Sequence, residues 1–350
     1  MILYIMVALW PLLIMSLYLK NSKPRYEYPA TKYLVLAALP MFTMLALRGE
    51  MMGADTIVYA QHFVQSIDVS LSQMIDTSRM EVGYLTFVKG LTYLTHSPML
   101  YQVICATIYM IGFVSFSNQL RGTDGFLFFY FVSTLGLFMF LFTGVRQCLA
   151  ISICLYSYQF MLKRKYWIVL LLVALAYTFH KSSLLFAATL FVWNRNLKWY
   201  GYLLYIIVVY IVYKYLMDVQ MWINDKFDYD YEVENVGGGL IFLMLLSILT
   251  FYSAVIKKRS PNDLIYSALF NINVLTLVFW ILRLQTRVAE RPSYYFLPFS
   301  CALFACVLGR TSKDGTEGVY RYIIIAFTLL LYIYRLLTNY SSLVPYSTFI

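Results

Sequence analysis

Twelve apolar runs, separated by short polar stretches, account for most of this chain. A lipid bilayer offers no water to an exposed backbone, so a segment that crosses it must be a helix or part of a closed barrel. The runs are continuously apolar rather than alternating, which favours helices, and most approach the roughly 20 residues that a crossing needs. They cover residues 2–19, 32–47, 98–117, 125–142, 147–162, 166–180, 183–194, 199–217, 240–256, 264–282, 292–309 and 321–338. We therefore predict an all-α polytopic membrane protein with about 12 transmembrane helices, forming one integral membrane domain over residues 1–350.

The composition excludes a soluble protein. Apolar residues make up 61% of the chain and charged residues 13%, whereas globular proteins are about half apolar and a quarter charged. The net charge of +10 would suit nucleic acid only if the cations gathered on a soluble face, and they do not. The first run starts at Ile2 and is followed by Lys20 and Lys23. This order predicts an uncleaved first span rather than a cleavable signal.

Basic residues between the runs predict the orientation, because cytoplasmic loops are enriched in Lys and Arg. With the N-terminus outside, every compact basic cluster falls on the cytoplasmic side. These residues are Lys20, Lys23, Arg25, Lys32, Arg121, Lys163, Arg164, Lys165, Arg195, Lys198, Lys257, Lys258, Arg259, Arg310, Lys313 and Arg321. The stretch 218–239, rich in Asp and Tyr, then becomes an acidic outer loop.

Residues 82–95 are apolar, but they are short for a span and include Lys89. Counting them as a crossing would place the later basic clusters outside. We predict an amphipathic or re-entrant helix there, within an outer segment over residues 48–97. Irregular structure at membrane depth survives only where it is packed by protein or lines a cavity, so this helix is expected to border a site.

Polar residues near span ends collect on the predicted outer side, and they are the candidate site residues: Arg48, Asp55, Glu81, Arg146, His180, Arg283, Arg287, Glu290 and Arg291. If the tenth helix continues outward, the spacing of Arg283, Arg287 and Arg291 places three guanidinium groups on one side of it. Like charges at this spacing repel, which indicates an anionic ligand. Guanidinium suits phosphate because its planar fork donates two parallel hydrogen bonds.

Ordinary structural roles compete with each assignment. Arginines at span ends also extend to lipid headgroups, Glu81 and Glu290 can be simple salt-bridge partners, and Asp55 can be a turn or cap residue. His180 can form hydrogen bonds at a helix end without acting as a base. The five cysteines and three histidines show no metal-ligand spacing. Tyrosines around 229–231 are candidates for stacking on sugar rings.

Several short motifs at these positions resemble the EpsG family of Wzy-type bacterial polysaccharide polymerases. The motifs are Arg48 with Gly53-Ala54-Asp55 and Tyr59, Glu81-Val82-Gly83-Tyr84, Val145-Arg146-Gln147 with Ala150, Phe179-His180-Lys181-Ser182 and Val344-Pro345-Tyr346. Their order and spacing extend over residues 48–346.

The resemblance implies a GT-C-like, metal-independent glycosyltransferase of the bacterial inner membrane without a cofactor. It would transfer a growing glycan from undecaprenyl pyrophosphate onto a new lipid-linked repeat unit at the outer face, for capsule, exopolysaccharide or lipopolysaccharide. A chain-length regulator protein is a candidate partner.

The implied displacement at an anomeric carbon needs charge stabilisation on the leaving pyrophosphate and a base for the acceptor hydroxyl. Arginines suit the first task, and we assign Arg146, Arg283, Arg287 and Arg291 to it, with Arg48 in reserve. A group with a near-neutral pKa suits the second, which favours His180, with Asp55 or Glu81 as the alternative.

Three other functions remain open from sequence. An O-antigen ligase would share this chemistry, and a lipid-linked oligosaccharide flippase would share the span number. A sugar acyltransferase would need a deeper histidine on the cytoplasmic side.

Overall fold

The computed structural model describes residues 1–21, 29, 31–194, 199–227, 239–257, 263–310, 315–338 and 341–349. In these ranges the chain is helical and contains no strand, apart from one isolated bridge between Arg48 and Thr348. The prediction of an all-α membrane protein is confirmed as far as the secondary structure of these residues is concerned. The chain forms two compact units, Met1–Ala187 with Ala305–Ile350 (unit 1) and Ala188–Phe304 (unit 2).

Unit 1 contains most of the helices. They are α1 (Ile2–Asn21), α2 (Thr31–Ala46), α3 (Thr56–Gln65), α4 (Leu71–Thr77), α5 (Val82–Thr92), α6 (Pro98–Ser117), α7 (Asp124–Thr134), α8 (Leu137–Phe140), α9 (Val145–Leu162) and α10 (Tyr166–Phe179). A 3-10 helix, Lys181–Ala188, follows α10. Unit 2 contains α11 (Thr189–Val192), α12 (Trp199–Phe227), α13 (Leu240–Lys257), α14 (Leu264–Leu282) and α15 (Glu290–Ser293). Helix α16 (Leu297–Arg310) leads back to unit 1, which ends with α17 (Gly315–Thr338).

Within the described ranges, five helices are long and apolar enough to cross a membrane, or six if the pair Arg287–Ser293 and Leu297–Arg310, bent by 60°, is one span. The five are Ile2–Lys20, Pro98–Ser117, Leu240–Lys257, Leu264–Leu282 and Gly318–Thr338. The number of twelve spans therefore stays a prediction.

Three of the predicted spans are not continuous helices. The run 125–142 is divided between α7 and α8 at Gly136, whose φ of +91° ends the first helix in the left-handed conformation that glycine tolerates. The run 183–194 forms a 3-10 helix and the four-residue α11. The run 292–309 is interrupted between α15 and α16.

Helix α12 continues past residue 217, the predicted end of a span, to Phe227 and includes the first part of the predicted acidic loop. The ammonium group of Lys226 lies 5.3 Å from the ring centroid of Trp222, an i, i+4 pair that supports the helix. The rest of that loop, including Tyr229 and Tyr231, lies outside the described residues.

The core of unit 1 is built on α7, in which every residue is buried. Helix α1 packs on α7, and α6 packs between α2 and α9. Gly112 of α6 lies against α9 so closely that a Cβ there would be 2.5 Å from the carbonyl oxygen of Ser152. Such small residues let helices approach closely in membranes.

The two ends of unit 1 differ in their polar residues. At one end Thr31 donates to Asn118, and Arg321 donates to the carbonyl of Leu308. At the other end, the last residues of the chain pair with the segment after α2, where the Gly49 amide donates to Ser347 and the Phe349 amide donates to Leu47. The first end contains cations predicted to face the cytoplasm, and the second contains the candidate site.

Candidate active site

The carboxylate of Glu81 is the centre of a polar cluster in unit 1. One of its oxygens, Oε2, pairs with Nη1 of Arg146. The other, Oε1, accepts a hydrogen bond from the backbone N–H of Lys181 at 3.2 Å and lies 3.4 Å from Nδ1 of His180. Three residues predicted separately from sequence, Glu81, Arg146 and His180, are thus brought together.

Three helix ends place these side chains. Arg146 is the second residue of α9, and His180 follows the last residue of α10 in an extended conformation. Because α9 and α10 are antiparallel neighbours, these two positions lie at the same end of the pair. Glu81 precedes the first residue of α5, and α5 reaches α10 because Gly83 has no side chain to keep it away from Thr178.

Tyr59 is a cluster member that sequence reasoning did not assign. Its hydroxyl oxygen accepts a hydrogen bond of 3.2 Å from Nε of Arg146. Tyr59 lies on α3, one helical turn after Asp55. Its i, i+4 spacing from this candidate site residue is the sequence pattern that could have placed Tyr59 in the cluster. Arg146 is therefore held by two partners, and 24% of its side chain stays exposed. Its third nitrogen, Nη2, forms no hydrogen bond within the described residues.

The environment of Glu81 makes it a weak base. Burial raises the pKa of the Glu81 carboxyl, but the approach of His180 and the positive charge of Arg146 outweigh burial and lower the pKa to about 2. A proton acceptor near neutral pH needs a much higher pKa. Of the three groups that sequence left as candidate bases, His180, Asp55 and Glu81, the lowered pKa disfavours Glu81, whose carboxylate instead contacts Arg146 and His180.

The lowered pKa of Glu81 predicts how stability depends on pH. Its folded-state pKa of about 2 lies below the ordinary value of 4.5, so its stabilising contribution is complete above pH 4.5 and is lost as pH falls towards 2. The difference in thermal stability between wild type and Glu81→Gln, measured in detergent, should be present at pH 5 and shrink as the pH falls below 4. A difference that does not shrink below pH 4 would contradict the ion pair.

Asp55 and His62 flank the cluster on α3. Asp55 is half-buried at the start of the helix, and its side chain caps no backbone group. The pKa of Tyr59 is raised mainly by burial, with a smaller contribution from Asp55. Burial and the charge of Arg146 both lower the pKa of His62, which favours its neutral form, and sequence reasoning did not assign His62 to the site.

Arg48 has a different environment from the one predicted for a pyrophosphate ligand. Only 2% of it is exposed. Its Nη1 donates to the carbonyl of Leu141 at 3.0 Å, and its guanidinium lies 5.7 Å from the ring centroid of Phe142. Arg48 thus holds the loop that leads into α9 and Arg146. Tail residues 347–349, paired with residues 47–49, help to bury it.

In unit 2 the predicted row of three arginines on one helix does not form. Helix α14 ends at Leu282, and a separate 3-10 helix starts at Arg287 behind a capping Thr286. The helical spacing fails because the chain turns at 283–286. Arg283 is buried and its Nε donates to Glu290 at 2.8 Å, while the other oxygen of Glu290 accepts from Tyr294. Arg287 and Arg291 are exposed.

The described residues contain no group of three or more His, Cys, Asp or Glu side chains that could bind a metal ion. The five cysteines are buried as free thiols.

One protein family, described as the EpsG family, has a model that matches residues 31–348 of the chain. No curated protein and no solved structure matches the chain.

Proposed function

The chain belongs to the EpsG family, and from this premise we propose that it polymerises a bacterial surface polysaccharide. The family indicates a membrane protein of the polysaccharide polymerase type. In the proposed reaction, a glycan carried on undecaprenyl pyrophosphate is transferred to a hydroxyl of a new lipid-linked repeat unit. This metal-independent glycosyl transfer would release undecaprenyl pyrophosphate at the outer face of the inner membrane.

The contact of Glu81 with both Arg146 and His180 is the observation that supports this reaction best. The Nδ1 of His180 lies 3.4 Å from Glu81 and forms no hydrogen bond within the described residues. A catalytic hydrogen bond often tightens only when substrate binds, and a bond from Nδ1 to Glu81 would leave Nε2 to accept a proton. His180 would take the proton of the acceptor hydroxyl through Nε2. Glu81, charged at neutral pH, would hold the ring and stabilise the imidazolium that forms.

Arg146 would stabilise the leaving group. Tyr59 and Glu81 fix two of its three nitrogens, so Nη2 is presented without further ordering of the side chain. Preorganised donors of this kind stabilise charge that develops in a transition state. Phosphate contacts by Arg283, Arg287 and Arg291 of unit 2 stay a prediction from sequence, and Arg283 pairs with Glu290.

An outer location of the site follows from the proposed topology of about twelve spans in a GT-C-like arrangement. Within unit 1, Arg146 and His180 lie at one end of the helices. Arg321, which donates to the carbonyl of Leu308, lies at the other end, as expected for a cytoplasmic cation.

The products made by a deletion strain test the proposal. We expect single repeat units on the surface lipid without the protein and a ladder of long chains when the wild-type gene is restored. Polymer that accumulates on undecaprenyl in the deletion strain would instead indicate a ligase. Loss of all lipid-linked units from the outer face would indicate a flippase.

A further inference from the structure

The cations already described at the site end of unit 1 are engaged within the protein. Arg146 pairs with Glu81, and Arg48 is buried against Leu141. The ammonium group of Lys89 donates to the carbonyls of Ser66 and Ile67, both at 3.0 Å, at the end of α3. None of the three is a freely exposed positive charge, yet a leaving pyrophosphate brings more than one negative charge.

Two other cations border the cluster and are exposed. Lys181 follows His180 directly, and its backbone N–H binds Glu81. Arg79 precedes Glu81 by two residues in the turn between α4 and α5, a separation of at most about 7 Å between Cα atoms. The Ser78 hydroxyl accepts a hydrogen bond from the Met80 amide in this turn. Neither cation forms an ion pair within the described part of the chain.

We infer that Lys181 and Arg79 bind the phosphate groups of the lipid-linked substrate beside the Glu81–His180 pair. This inference rests on the proposed function, and it gives these two residues the phosphate contact for which sequence analysis held Arg48 in reserve. Basic residues are depleted on the outer side of membrane proteins, so two exposed cations at this point call for an anionic ligand. Each contributes a charge-assisted hydrogen bond that the paired Arg146 alone does not supply.

The side chain of Lys181 can be tested separately from the architecture of the site. Its contact with Glu81 is made by the backbone N–H, which every substitution except proline retains. Lys181→Gln therefore removes the charge and keeps the hydrogen bond that positions Glu81. Lys165, exposed at the opposite end of α10, provides the matched control Lys165→Gln.

Anionic lipid headgroups present the same phosphate chemistry as the substrate, so the bilayer must be varied. Each variant is purified into nanodiscs of pure phosphatidylcholine and of phosphatidylcholine mixed with phosphatidylglycerol. Chain extension is measured against the concentration of lipid-linked repeat unit, and inorganic pyrophosphate serves as the competing anion.

In phosphatidylcholine, Lys181→Gln should raise KM about tenfold, as expected for one lost charged hydrogen bond, and leave kcat within about twofold of wild type. Inhibition by pyrophosphate should weaken in parallel. Adding Arg79→Gln should raise KM further, and Lys165→Gln should match wild type.

An unchanged KM for Lys181→Gln, or a change seen only with phosphatidylglycerol, would overturn the inference and leave the proposed function standing. Wild-type protein that extends no chains in either bilayer would overturn both.

Discussion

Replacing His180 by alanine should lower the rate of chain extension by about 10²–10⁴-fold, the usual contribution of a general base. The side chain lies at the end of α10 against Glu81, so its removal takes away the proton acceptor and leaves the helices in place. The rate is measured with purified protein and lipid-linked repeat units, together with the amount of protein in the membrane. His96→Ala, in the exposed loop before α6, is the matched control and should match wild type.

A double variant tests whether Glu81 contributes to the reaction through His180 or independently of it. Glu81→Gln should lower the rate about as much as His180→Ala, because the amide no longer carries the charge that holds both His180 and Arg146. The double variant should be little worse than either single one, since residues that act as a unit give strongly non-additive losses. If the rate loss of the double variant equals the product of the two single losses, Glu81 and His180 act independently. Glu50→Gln, at an exposed position after α2, is the control for loss of a negative charge.

The second large effect is expected at Gly83. A Cβ at this position would lie 2.5 Å from Cβ and 2.7 Å from the carbonyl oxygen of Thr178, besides meeting its hydroxyl. Because one of these atoms is backbone, a rotamer change of Thr178 cannot relieve the clash, and α5 must move away from α10. Overpacking of this kind costs about 1–3 kcal/mol, and a displacement of about 1 Å between catalytic groups can cost about 100-fold in rate. Gly83→Ala should therefore lower both thermal stability and chain extension.

Gly90 gives the control for Gly83 on the same helix. It lies two turns later on α5, and a Cβ there meets no atom within 4 Å. Gly90→Ala should keep full activity and gain slightly in stability, because alanine is the better helix former. Equal behaviour of the two variants would show that the approach of α5 to α10 does not position Glu81.

The part of the candidate site that could be predicted from sequence is the part whose geometry follows from the order of neighbouring helices. Arg146 and His180 lie at opposite ends of two consecutive apolar runs joined by three basic residues, so their proximity follows from the antiparallel pairing of neighbouring helices. The contact of Glu81 with both could not be predicted, because it depends on how tightly Gly83 lets α5 approach α10.

Arg48 and Arg283 show the limits of the same reasoning. The burial of Arg48 depends on pairing with residues about 300 positions later, for which the sequence gives no periodic signal. The pairing of Arg283 with Glu290 depends on a turn after α14. Thr286 and Pro292 are the local signals for that turn, since the first caps a new helix and the second disfavours a long one.

The contacts between residues 343–349 and the first two helices of unit 1 have a consequence for biosynthesis. The hydroxyl of Tyr4 in the first helix donates to the carbonyl of Leu343, and that of Tyr346 donates to the carbonyl of Met44. Residues 343–349 are synthesised about 300 positions after the residues that they contact, so the early helices are in the bilayer before these contacts can form. Arg48 and the loop before Arg146 can thus reach their final arrangement only after residues 343–349 have been synthesised.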